Sequence, residues 1–122
     1  MRVLIVDDSA TMRKIITRCL RQAGYKATEL YEAGDGLEAL EVLDKNDVDV
    51  IFSDVNMPNM NGIEFLDALK ERGTLDSIPV VMITTESTPE SVRLFVEHGA
   101  SGCVPKPCTA DQLEDVVSAV LD

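Results

Sequence analysis

The chain has 122 residues, 45 % of them hydrophobic, with 22 acidic against 11 basic side chains and a formal net charge of −11. That length suits one domain around one core, residues 1–122, and so acidic a chain is repelled by nucleic acid and by anionic membranes, which excludes both as main partners. Three cysteines without a CxxC spacing indicate neither a disulfide framework nor a zinc site; with no apolar run near ~18 residues and no secretory leader, a soluble protein of the reduced cytoplasm is expected.

Residues 2–6 read as a first strand, in which Val3-Leu4-Ile5-Val6 leads into Asp7-Asp8. Met12, Ile15, Ile16, Cys19, Leu20 and Ala23 then recur at helical spacing, with Gly24 as a stop. Arg13, Lys14, Arg18 and Arg21 fall in that helix and form either a solvated face or a docking patch for an acidic partner. A weaker strand follows near 27–32, then a helix over 36–45 on Leu37, Leu40 and Leu43. Residues 49–53 form the third strand, closed by Asp54, and 62–71 a helix on Ile63, Leu66 and Leu69. Pro79 to Ile83 is the fourth strand, closed by Thr84. Thr88-Pro89 is a cap with proline at the first helical position, opening a helix that turns Val92, Phe95 and Val96 inward and stops at Gly99. The fifth strand lies near 102–105. Thr109 and Gln112 make a capping-box pair before a last helix on Leu113, Val116, Val117, Val120 and Leu121.

Strand and helix thus alternate five times, which predicts an α/β fold with a doubly wound parallel sheet. Pro105 lacks a ladder donor and places the fifth strand at an edge. The flavodoxin-like (βα)5 order 2-1-3-4-5 satisfies this and sets the first strand beside the third. Asp7, Asp8 and Asp54 then meet at the carboxyl ends of the strands, where ligands bind in such sheets. Three carboxylates held together repel unless a cation neutralises them, and an all-oxygen donor set favours Mg²⁺ over zinc. Thr84 and Lys106 end strands on the same edge. Together the five supply metal ligands, a carboxylate nucleophile, a hydroxyl donor and a fixed cation, the equipment for phosphoryl transfer to a carboxylate. Singly each has a plainer reading: Asp8 as the cap of the first helix, Thr84 as a strand end, Lys106 as a solvated lysine.

Asp7-Asp8, Asp54, Thr84 and Lys106-Pro107, with Val3-Leu4-Ile5-Val6-Asp7-Asp8-Ser9 and Ser53-Asp54-Val55-Asn56-Met57-Pro58, resemble the receiver domain of two-component response regulators along the whole chain. The stretches Ser9 to Arg13, Asn56 to Gly62 and Gly99 to Gly102 are most similar to the family's single-domain chemotaxis regulators. The resemblance implies that Asp54 accepts a phosphoryl group from the phosphohistidine of a sensor histidine kinase or histidine phosphotransfer domain. It implies that Asp8 and Asp54 ligate Mg²⁺ directly, Asp7 through water and Asn56 by its backbone carbonyl. Thr84 would swing toward the phosphoryl group, Lys106 would pair with it, and the Lys106-Pro107 bond would be cis. The product would be a switch acting on an unknown output protein, not an enzyme beyond its own phosphorylation and dephosphorylation.

Two positions depart from the family. Cys103 stands where an aromatic ring usually turns inward as the counterpart of Thr84 moves, and Cys108 follows Lys-Pro where an apolar residue such as Phe is common. Gly34-Asp35-Gly36-Leu37-Glu38-Ala39 fits a dinucleotide pattern, but it lies in the second βα unit and Asp35 would oppose a pyrophosphate. Asp54 to Glu64 fails as a calcium loop at Pro58 and Asn59. His98, at a helix end before Gly99, is read as a dipole-compatible residue. The remaining alternatives are a Mg²⁺-dependent phosphohydrolase working through an aspartyl-phosphate, which the lack of a cap insertion disfavours, and a receiver cut from a longer regulator.

Overall fold

The computed structural model describes residues 1–121. Five parallel strands, β1 (Arg2–Val6), β2 (Glu29–Ala33), β3 (Val50–Ser53), β4 (Val80–Thr84) and β5 (Gly102–Pro105), form one sheet in the order β2-β1-β3-β4-β5. The helices are α1 (Ala10–Gln22), α2 (Gly36–Lys45), α3 (Gly62–Glu71), α4 (Pro89–Glu97) and α5 (Ala110–Leu121), with a single 3-10 turn over Thr74–Asp76. β5 is an edge strand, as Pro105 requires.

Alternate residues of each strand feed two cores. Leu4, Val6, Ile51, Val80 and Met82 face α2, α3 and α4 and meet Leu40, Phe65, Leu66 and Phe95. Val3, Ile5, Val50, Phe52, Val81 and Ile83 face α1 and α5 and meet Ile16, Leu20, Leu113 and Val117. Because both faces are covered, β1, β3 and β4 read as unbroken apolar runs. Their bulkiest members, Phe52 and Phe65, are fully buried, and burial of such a side chain contributes roughly 1.5–3 kcal/mol.

The caps explain where the helices start. Thr88 accepts from the Ser91 amide with Pro89 next in line, and Thr109 and Gln112 exchange bonds as a capping box. Asn61 and Glu64 form a second capping box on α3. The first helix corrects an expectation: its N-cap is Ser9, which accepts from the Met12 amide at 3.2 Å, so Asp8 is left free of that duty. The apolar stripes are also narrower than periodicity alone implies. Leu37, Val96 and Leu121 are 49 %, 54 % and 38 % exposed, outside the buried stripes of their helices.

Candidate metal and phosphoryl site

The register of β1 with β3 pairs Val6 with Ser53, so the two strands end level. The Asp54 amide donates to the Val6 carbonyl at 2.8 Å and the Asp7 amide to the Ala33 carbonyl at 3.0 Å. These bonds carry the ladders one residue past each strand and hold both aspartates at the sheet's carboxyl edge. Asp7, Asp8 and Asp54 each offer an oxygen within 4.8 Å of the others. Asp7 and Asp54 are buried, whereas Asp8 faces solvent.

Lys106 reaches this group from β5. Its amide donates to the Thr84 carbonyl at 2.8 Å, which anchors the residue after the strand. Its ammonium lies 2.9 Å from Asp7 Oδ2 and 3.1 Å from Asp54 Oδ1, and the Lys106-Pro107 peptide is cis. Burial acts to lower the Lys106 pKa, but the bond to Asp7 and the charges of Asp54 and Asp7 outweigh it and raise it, so the side chain is a fixed cation. Asp54 shows the opposite imbalance. Burial, and then the Asp7 charge, push its carboxyl above the ordinary range, although Lys106 and the Val55 amide pull it down. One lysine does not neutralise three carboxylates. The donors are all oxygens, and their unbalanced charge fits a hard divalent cation.

The Asp54 side chain is already oriented. Oδ1 accepts from the Val55 amide at 2.8 Å and faces Lys106, while Oδ2 has no protein partner among the described residues. Thr84, 1 % exposed, closes β4, and its hydroxyl accepts from the Glu86 amide at 3.0 Å, leaving its own proton free to donate. Asn56, two residues past Asp54, is exposed.

Several supporting residues escaped the sequence reading. The Ser9 amide donates to Asp7 Oδ1 at 2.9 Å. Arg13 donates to the Asp7 carbonyl at 2.5 Å and pairs with Glu32 at 3.0 Å, so it braces the site and does not belong to a free basic face. Lys14, Arg18 and Arg21 remain exposed. Gly62 leaves room for the site: a Cβ there would stand 2.4 Å from the Asp54 carbonyl oxygen. His98, the C-cap of α4, bonds through Nδ1 to Asp67 on α3 at 2.6 Å, which ties two helices together.

The departures lie close by. Cys103, half-buried, packs toward the α4 side of the sheet, and burial raises its thiol pKa. Cys108 is buried with its sulfur 3.5 Å from that of Cys19 on α1. Burial and this neighbour push the Cys108 thiol up to about 12, so it behaves as a small hydrophobe.

A family model, the response regulator receiver domain, matches residues 3–118. The chemotaxis protein CheY-3 of Vibrio cholerae is 39 % identical over 122 residues, covering 100 % of this chain and 92 % of its own length. The chemotaxis protein CheY1 of Helicobacter pylori is 38 % identical over 122 residues, covering 99 % and 97 %. The solved structure of the chemotaxis response regulator CheY4 of Vibrio cholerae matches with a TM-score of 0.84 at 39 % identity, covering 98 % of this chain and 97 % of that one. The chain belongs to the response regulator receiver family. Within that family it is CheY-like, a signalling protein and not a metabolic enzyme, and receiver membership implies a histidine kinase as partner.

No helix among the described residues is long and apolar enough to cross a membrane.

Proposed function

We propose that the chain is a phosphorylation switch of chemotaxis or motility signalling in the cytoplasm, with Asp54 as phosphoacceptor. The single observation that carries this is the placement of the Lys106 ammonium against Asp7 and Asp54 together, beside a third carboxylate. Asp7, Asp8, Asp54 and the Asn56 carbonyl would hold Mg²⁺, which when bound offsets the charge of the incoming phosphoryl group.

The chain's own groups divide the remaining work. Oδ2 of Asp54 attacks phosphorus as the P–N bond of a phosphohistidine breaks. The bonding pair returns to the imidazole nitrogen and an aspartyl-phosphate is left. Val55 N–H and Lys106 hold the carboxylate in line for this. Lys106 then pairs with a phosphoryl oxygen, and the Thr84 hydroxyl donates to another. Because the Thr84 hydroxyl also accepts from the Glu86 amide, moving it toward the phosphoryl group displaces that bond's acceptor, so the loop after β4 reports the modification. The donor is a sensor histidine kinase or a histidine phosphotransfer domain, and the output is altered binding of a partner protein.

Incubation with acetyl phosphate and Mg²⁺ tests this by mass. One added phosphoryl group is expected, absent from Asp54→Asn and slowed in Asp8→Ala. Undiminished incorporation in Asp54→Asn sinks the assignment. Turnover of unrelated phosphate esters would mean a phosphohydrolase instead.

A further inference from the structure

A second buried carboxylate stands outside the acidic pocket and grips the loop that leaves Asp54. Asp35, 5 % exposed, is the N-cap of α2, and its Oδ1 accepts from the Glu38 amide at 2.9 Å. That duty needs one oxygen and no burial. The other oxygen, Oδ2, accepts from Asn59 Nδ2 at 2.7 Å, across 24 residues of sequence. Asn59 has φ of 63° and is the one non-glycine residue with positive φ among the described residues. Asparagine visits this region more readily than most side chains.

Neighbouring contacts act in the same direction. The Gly36 amide donates to the Met60 carbonyl at 3.0 Å, and a Cβ on Gly36 would stand 2.5 Å from Met60 Cγ. The first turn of α2 is therefore pressed against the loop. At the loop's other boundary the Gly62 amide donates to the Val55 carbonyl at 2.7 Å. Asn56 lies between these two anchors. A helix cap accounts for the Glu38 bond, and a tight turn accounts for the dihedral of Asn59. Neither requires a buried carboxylate joining the two.

We propose that Asp35 is a positioning residue for the metal pocket: by clamping Asn59, it fixes the β3–α3 loop so that the Asn56 carbonyl is presented beside Asp8 and Asp54 before a cation arrives. This rests on the reading of the pocket as a Mg²⁺ site. Ordering the loop in advance removes that entropic cost from the binding step, and outer groups that orient ligands are a recurring determinant of metal affinity.

The test is Mg²⁺ titration of the full chain, followed by amide chemical shifts, in the parent, Asp8→Ala, Asp35→Ser and Asn59→Gly, with thermal melts in the absence of metal. Serine still caps α2 but is too short to reach Asn59. Glycine keeps the left-handed backbone accessible and deletes only the bond. Both latch variants should melt cooperatively and bind Mg²⁺ about tenfold more weakly, the low end of what such outer groups contribute. Affinity within twofold of the parent in both, with binding lost in Asp8→Ala, overturns the latch alone. A loss confined to Asp35→Ser shows that the Asn59 bond is not what carries the effect and also overturns it. A parent that does not bind Mg²⁺, or Asp8→Ala binding as tightly as the parent, overturns the metal reading and the latch with it.

Discussion

The Lys106 ammonium lies 3.1 Å from Oδ1 of Asp54, so the group that would receive a phosphoryl is already paired with the cation that would later neutralise it. The same ammonium is 2.9 Å from Asp7, and both carboxylates are buried. The resting site therefore depends on a lysine contributed by the far edge of the sheet.

Removing that lysine leaves two buried carboxylates unpaired. Lys106→Ala should lower metal-free stability by about 3 kcal/mol, the lower end for breaking a buried pair, because Lys106 keeps some solvent contact. Mg²⁺ should restore part of the loss by replacing the missing positive charge. Urea titrations with and without Mg²⁺ measure both numbers, and equal losses in the two conditions would contradict the shared-charge account.

Asp54→Asn should act in the opposite direction. The folded pKa of Asp54 is raised, by burial and then by Asp7, so its contribution to stability is complete below the unfolded pKa and is lost as pH rises through the folded pKa. At neutral pH the ionised group is a net cost, and Asp7 keeps Lys106 paired when Asp54 is neutralised. The metal-free variant should unfold at higher urea than the parent at pH 7, and the difference should shrink toward pH 4. A variant less stable than the parent at pH 7 would overturn the sign.

Asp35 carries the reverse dependence. The bond from Asn59, then the Glu38 amide, hold its carboxyl below the ordinary carboxylate range. Its stabilisation is present above the unfolded pKa and disappears as pH falls through the folded one. Asp35→Ser should flatten the acid limb of the stability curve below about pH 4 and leave its slope between pH 6 and 8 unchanged. Parallel curves for parent and variant down to pH 2 would refute this.

Gly62→Ala should be among the most damaging single-methyl changes. The added Cβ would meet the Asp54 carbonyl oxygen at 2.4 Å and Val55 Cα at 2.9 Å, and backbone cannot swing aside as a side-chain tip can. A cost of about 2–3 kcal/mol is expected from overpacking of this kind, together with slower phosphorylation. The equivalent change at Gly24, whose Cβ would meet nothing within 4 Å, should spare phosphorylation and cost only the strain of its positive φ.

At Cys103 the expected outcome concerns remote coupling. The resemblance to receivers assigns this position an aromatic ring that fills space vacated by the moving hydroxyl residue. Cysteine is too small to do so, and a ligand shifts a two-state element only by its differential interaction with the two states. Beryllofluoride, standing in for the phosphoryl group, should alter amide exchange chiefly over residues 84–91, with less change over 102–108. Cys103→Tyr should enlarge the latter. Equal changes in both segments of the parent would refute the idea.

The features legible in the sequence were those set by local chemistry. Helices over 36–45 and 62–71 have the expected bounds, because glycine, asparagine and aspartate mark their starts. Pro105 and the unbroken apolar runs of the central strands were satisfied by the order found; the parallel sheet puts the strand ends on one edge, and the order sets the end of β1, with Asp7 and Asp8, beside that of β3, with Asp54. β2 was displaced, expected near 27–32 and found at Glu29–Ala33, since an edge strand with exposed positions has a weak alternation. The pairings of Asp35 with Asn59, Arg13 with Glu32 and His98 with Asp67 lay beyond reach. Each joins polar residues from different elements, and neither spacing nor hydropathy encodes which polar groups meet.

Asp7 and Lys106, which share a bond, are 99 positions apart in the chain. Every strand of a parallel sheet must be reached by a crossover, and contacts of such long sequence separation close late and slowly. That ion pair therefore has no precursor in any fragment ending before β5, whereas the three carboxylates follow β1 and β3 and meet without it; the lysine joins them when the last edge strand docks. A cation that binds only the finished pocket would stabilise the whole chain by mass action, by about 2.7 kcal/mol at a hundred times its Kd. A chain stalled one strand short would hold its three carboxylates without Lys106, so during refolding the cation would take the place that the docking of β5 later gives to the lysine.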